Sequence, residues 1–166
     1  MIERIWEYSR FYGELLYSAN RLNQNGDGYA AFLLLFNVLE LICKSLRESD
    51  KDNIFGDIIW LADNGLFTQE EKEFLSGENG IRKIRNIMTH RNPYSFFYVD
   101  DEGIIYPFAE SETWGIAYRE YAPRVIRILS KAIERKSKKN DNIGKTLVVV
   151  VFIWYNLNIA VFQGII

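Results

Sequence analysis

Arg85, Asn86 and His90 are the residues whose types and spacing best suit chemistry on a phosphate. Asn86 and His90 stand four apart, so a helix places them on one side, with Arg82 a turn earlier on the same stripe and Arg85 and Thr89 on the adjacent one. Stepping about 100° per residue from Ile81, this polar set spans roughly 140°, and Ile81, Ile84, Ile87 and Met88 fall opposite. Any solvated helix shows such sorting, so the pattern alone also fits a plain surface face. Two features point further. Arg82, Lys83 and Arg85 crowd the first turns, where the positive end of the helix dipole disfavours cations and favours an anion such as a phosphate. His90 is the only histidine in the chain, so proton transfer by an imidazole near neutral pH must use it.

Other chemical candidates have bland readings beside them. Glu70-Glu71, Asp100-Asp101 and Glu110 with Glu112 lie near caps or in turns, where carboxylates are common, so no metal site is expected. Gly144-Lys145-Thr146 has the end of a phosphate-loop pattern without its earlier glycine. Cys43 is the single cysteine and sits in the apolar run Phe32 to Leu46, which excludes a disulfide within the chain and suits a buried core thiol. Tyr94, Phe96, Phe97 and Tyr98 could stack on RNA bases, although packing within a hairpin is the favoured use.

The elements that must position the motif can be read along the chain. Ile2 to Leu22 carries an apolar stripe of helical period, and Asn23 to Gly28 breaks it. Tyr29 to Arg47 is too long and apolar for a strand and reads as the central buried helix. A shorter helix covers about Ile54 to Ala62 and stops at Asn64-Gly65. Thr68 with Glu71 forms a capping box that opens a helix to about Leu75. Ile81 to Arg91 carries the motif and must end before Pro93. Tyr94 to Val99 and Ile104 to Phe108, around a turn at Asp100 to Gly103, predict a short hairpin with Pro107 on an edge. Glu112 to Ser137 is a last helix with a kink or break expected at Pro123.

With 166 residues, 48% of them hydrophobic, the chain suits one folded domain. Its formal charge of -2 excludes coating of nucleic acid through bulk charge, so RNA contact requires a local patch. The start of the chain lacks the basic and apolar regions of a secretory signal, and a cytoplasmic location is expected. Arg124 to Lys145 is basic, and Thr146 to Ile166 is uncharged and about long enough to span a bilayer. A membrane anchor with the domain in the cytoplasm follows from that order. A buried terminal element is the alternative, since Asn156, Asn158 and Gln163 are costly in lipid. The domain then covers 1–139, and a basic linker with the apolar segment covers 140–166.

Arg85-Asn86-Ile87-Met88-Thr89-His90 resembles the signature of the HEPN family, an Arg, a polar residue, three further residues and a His, carried on a late helix after two long antiparallel ones. The resemblance in helix order spans about Met1 to Lys139. Asn92 stands where HEPN toxins paired with nucleotidyltransferase antitoxins have a Tyr, and Tyr94 follows two residues later. The resemblance implies an all-α helical bundle, here with a hairpin insertion after the motif helix. It also implies a metal-independent endoribonuclease without cofactors, acting as a homodimer in a toxin or antiviral defence system, with an antitoxin or defence protein as a further partner. Attack of the ribose 2′-hydroxyl needs a base, an acid for the leaving oxygen and a cation for the phosphoryl charge. Under this resemblance His90 is base or acid, Arg85 clamps the phosphate and Asn86 orients, with Arg82, Thr89 and Tyr94 binding substrate. One histidine per chain cannot serve as base and acid together, hence the two chains. A catalytically silent module of the same family, binding a nucleotide or a partner protein, is the alternative.

Overall fold

In a computed structural model, the structure describes residues 2–48, 53–78 and 80–163, with side chains described as far as 140. The described chain is mostly helical with one two-stranded sheet. It forms two compact units, Met1–Ile133 and Glu134–Ile166.

The first expected helix is two. α1 (Ile2–Tyr8) and α2 (Arg10–Gln24) are separated by Ser9, whose backbone is extended. The reason is visible at Gly13, where a Cβ would lie 2.5 Å from the Trp6 ring. The break lets α1 fold against α2 with the indole seated on that glycine, so one apolar stripe in the sequence serves two short helices. α3 (Gly28–Arg47) is the central helix, with Phe32, Leu35, Leu39, Ile42 and Leu46 fully buried at helical spacing. It is long and apolar enough to cross a membrane, but half of that stretch is buried within the protein, as for a core helix. The two long helices α2 and α3 are joined by a turn at Asn25 to Asp27 in which Gly26 takes a positive φ of 89°.

α4 (Ile54–Asp63) starts on Asn53, whose side chain accepts from the Gly56 amide at 3.0 Å, and is followed by Gly65 at φ 72°. α5 (Gln69–Ser76) has both bonds of the capping box: Thr68 N–H donates to Glu71 Oε2 at 2.8 Å and Glu71 N–H to Thr68 Oγ1 at 3.1 Å. α6 (Ile81–His90) buries Ile81, Ile84 and Ile87 and leaves its polar residues outward, as the spacing predicts. The hairpin pairs β1 (Phe97–Val99) with β2 (Ile105–Pro107) antiparallel, with Tyr98 opposite Tyr106. Asp100 organises its turn by accepting the amides of Glu102 and Ile104 on Oδ1 and the Tyr106 hydroxyl on Oδ2.

α7 (Ser111–Gln163) departs from the expectation in length: it runs past Ser137 and through Pro123 without a break. Proline removes only the amide that would bond the Arg119 carbonyl. The apolar ladder Trp114, Ala117, Tyr118, Val125, Leu129 and Ala132, all buried, holds the helix on both sides of it. The backbone is helical from 141 to Gln163, while the side chains of the apolar tail lie outside the described residues, and the membrane-anchor expectation lies there with them.

Two clips fix neighbouring helices. The guanidinium of Arg47 meets the fully buried Asp57 at 2.6 Å and lies over Trp60, joining the end of α3 to α4. Gly28 packs so closely on α7 that a Cβ would fall 2.2 Å from the Gly115 nitrogen. Between these clips lies Cys43, fully buried as expected, with its thiol pKa pushed up by burial and further by the nearby Asp57 and Glu40 carboxylates.

Candidate functional site

α6 is held from both ends. Its buried isoleucines pack into the core, and the Tyr29 hydroxyl from the start of α3 donates to the Met88 carbonyl at 3.2 Å. Tyr29 is in turn edge-on to Trp114, whose indole N–H donates to the Phe108 carbonyl at 3.0 Å. The C-terminal turn that carries His90 is therefore tied to α3, α7 and the base of the hairpin. The helix start is capped by Gly80 with no side-chain bond to its first amides, which leaves the positive end of the dipole without a side-chain cap.

Arg82, Arg85 and Asn86 line one open groove of about 620 Å³. α3 contributes Phe36 and Glu40 to it, and the start of α4 contributes Asn53 and Phe55. The Arg82 guanidinium sits over the Phe55 ring, 4.4 Å from its centroid, and that of Arg85 lies 5.6 Å from the centroid of Phe36. These cation–π contacts fix both heads without using their N–H donors. Neither guanidinium has an ion pair or hydrogen bond among the described residues. Two half-buried guanidiniums beside each other, with their donors unspent, form the local basic patch that the overall charge cannot provide.

The structure brings three of the expected residues together and leaves three outside this groove. His90 is exposed at the last position of α6, one turn past Asn86. Thr89 is exposed too, and its hydroxyl donates to the Arg85 carbonyl at 3.0 Å, the usual helical back-bond. Tyr94 is 82% exposed in the 3-10 turn Pro93–Ser95, where Asn92 accepts its amide at 3.1 Å. Asn92 is thus a turn residue. Of the four aromatics assigned to hairpin packing, Phe96 and Tyr98 do pack on the core, whereas Phe97, 61% exposed, and Tyr94 face outward. Val99 and Ile105 are exposed beside Phe97 on the same side of the sheet.

The groove also holds residues that sequence reasoning passed over. Phe36 and Glu40 are four apart on α3, and Glu40 is the sole acid in the run Phe32 to Leu46. A carboxylate in such a run was the available signal. Asn53 and Phe55 reach the groove only because α4 folds back along α3, which no local pattern announces. Among the described residues no cluster of three or more His, Cys, Asp or Glu side chains could hold a metal. No family model matches this chain, and no curated protein or solved structure matches it.

Proposed function

We propose that the chain is a metal-independent endoribonuclease of HEPN type, cutting RNA by attack of a ribose 2′-hydroxyl on the adjacent phosphate. The observation that carries this reading is the pair Arg82 and Arg85, held over aromatic rings with unspent donors, on the helix that ends in the only histidine. Arg85, with Arg82 beside it, takes the phosphoryl oxygens in bidentate fashion. Asn86 orients the sugar or phosphate. The exposed imidazole of His90 moves a proton, as base for the 2′-hydroxyl or acid for the leaving 5′-oxygen. Thr89 and Tyr94 flank His90 in sequence and serve as contacts to the strand beyond the cut.

The homodimer supplies the second imidazole, and the likeness of the motif to HEPN toxins and defence proteins is what suggests a toxin or defence role with an antitoxin or defence partner. The tail from Thr146 to Ile166 then anchors the domain at the cytoplasmic face of a membrane, with the preceding lysines on the anionic surface. The second reading, a silent module that binds a nucleotide, is favoured by one observation: His90 does not line the groove. Incubating the purified chain with RNA in EDTA separates the two. Cleavage that His90→Ala abolishes supports the nuclease; binding without cleavage, lost in Arg85→Ala, supports the module.

A further inference from the structure

From the groove's remaining polar groups we infer that it is a nucleobase subsite selective for guanine. The inference rests on the reading of Arg82 and Arg85 as the phosphate clamp and adds the base that lies beside that phosphate.

Glu40 and Asn53 carry the argument. Asn53 spends its side-chain oxygen on the Gly56 amide at 3.0 Å. That cap fixes which end of the amide is which, so what Asn53 offers the groove is its NH₂, a donor. Glu40 lines the same groove and offers only acceptors. Its single charge partner among the described residues is Lys44, at 3.6 Å, longer than a hydrogen bond, so the carboxylate oxygens keep free lone pairs. A donor and a carboxylate lining one groove suit the guanine edge, where O6 accepts and N1–H and the N2 amine donate side by side. Adenine offers that carboxylate only its N6 amine, beside the N1 acceptor, so one carboxylate oxygen goes unpaired. Uracil offers it a single N3–H and cytosine a single N4 amine, so guanine alone presents two adjacent donors.

Shape agrees with this assignment. Phe55 is 40% exposed and carries the Arg82 guanidinium on its ring, a composite flat surface of the kind on which bases stack. A volume of about 620 Å³ lies within the range of small-ligand sites. A carboxylate that pairs both oxygens with guanine pairs only one with any other base, and that difference sets the preference.

The test is titration of the full chain, purified in detergent, with GMP, IMP and AMP by calorimetry. The expected order is GMP, then IMP, which lacks the N2 amine, then AMP, with GMP about tenfold or more tighter than AMP. Glu40→Ala should collapse that ratio to near one, and Asn53→Ser, which keeps the helix cap but loses the NH₂ donor, should reduce it. Equal affinities of the wild-type chain for GMP and AMP, no binding of either, or a preference that survives Glu40→Ala would overturn the subsite. Cleavage is read separately on a guanine-containing and a guanine-free RNA. GMP preference without cleavage of either RNA refutes the nuclease and keeps the subsite, while equal cleavage of both refutes the subsite and keeps the nuclease.

Discussion

Replacing Arg47 by Met should weaken the fold more than any exposed substitution, because it strands a carboxylate that has nowhere else to go. Asp57 is 0% exposed, its Oδ1 meets Arg47 at 2.6 Å, and its Oδ2 has no hydrogen-bond partner among the described residues. Removing one member of a buried ion pair costs about 3–5 kcal/mol. The Arg47 side chain is 26% exposed, so water already screens part of the pair, and about 2–3 kcal/mol is the expected loss. Methionine keeps an apolar stem of similar length, so the substitution removes the charge and with it the guanidinium over Trp60.

The assay is urea unfolding followed by tryptophan fluorescence, where a slope of about 2 kcal/mol/M converts this loss to a midpoint lower by roughly 1 M. The double variant Arg47→Met with Asp57→Leu should recover most of it, since an apolar pair of similar volume avoids the stranded charge. An unchanged midpoint in Arg47→Met, or a double variant as weak as the single one, would refute the reasoning. The consequence reaches the groove, because α4 carries Asn53 and Phe55 into it and Arg47 is the clip between α4 and α3.

Gly28→Ala places a Cβ 2.2 Å from a backbone nitrogen of α7, which cannot rotate away; a loss of about 3 kcal/mol is expected, read as a melting temperature lower by roughly 10 °C. Burial raises the Tyr118 pKa to about 12, so the fold favours the protonated phenol. Its stabilising effect is complete below the unfolded value near pH 10 and is lost as pH climbs to about 12, a loss of roughly 2 kcal/mol that Tyr118→Phe should remove from unfolding curves taken across that window. Truncation after Lys145 should give a folded, active domain that no longer sediments with membranes, and misfolding would end the anchor proposal.

What the sequence made legible is what local chemistry decides. The capping box at Thr68, the stop at Asn64-Gly65, the hairpin around Asp100 to Gly103 and the two faces of α6 all come from neighbours within a few residues, and each is in the structure. The break at Ser9 was hidden because Trp6 packs on Gly13 through a chain reversal, while both halves carry the same period. Proline at 123 misled in the opposite way: the burial of Trp114 to Ala132 outweighs one missing hydrogen bond. The α6 side of the candidate groove, Arg82, Arg85 and Asn86, was legible, and the other side, Phe36, Glu40, Asn53, Ile54 and Phe55, depends on how α3 and α4 meet.

The distances along α6 bear on how the proposed cut is made. Arg85 and His90 are five positions apart, a rise of about 7.5 Å, and Arg82 is about 12 Å from His90 along the axis. Helical side chains lean toward the N-terminus, and the longer arginines reach further that way than the histidine does. Their guanidiniums rest over Phe55 and Phe36, so that separation is anchored. A phosphate gripped by Arg82 and Arg85 is then poorly placed for the imidazole of the same chain, so the proposed mechanism takes the acting histidine from a second chain across a two-fold axis. In that arrangement each dimer needs both imidazoles, one as base and one as acid. Mixing equal amounts of wild-type and His90→Ala chains, with time to exchange, should leave about a quarter of the wild-type activity, because only wild-type pairs cut, against about half if each chain acts alone. Ribonuclease activity that follows simple dilution in that titration would place base and acid within one chain and remove the dimer from the mechanism.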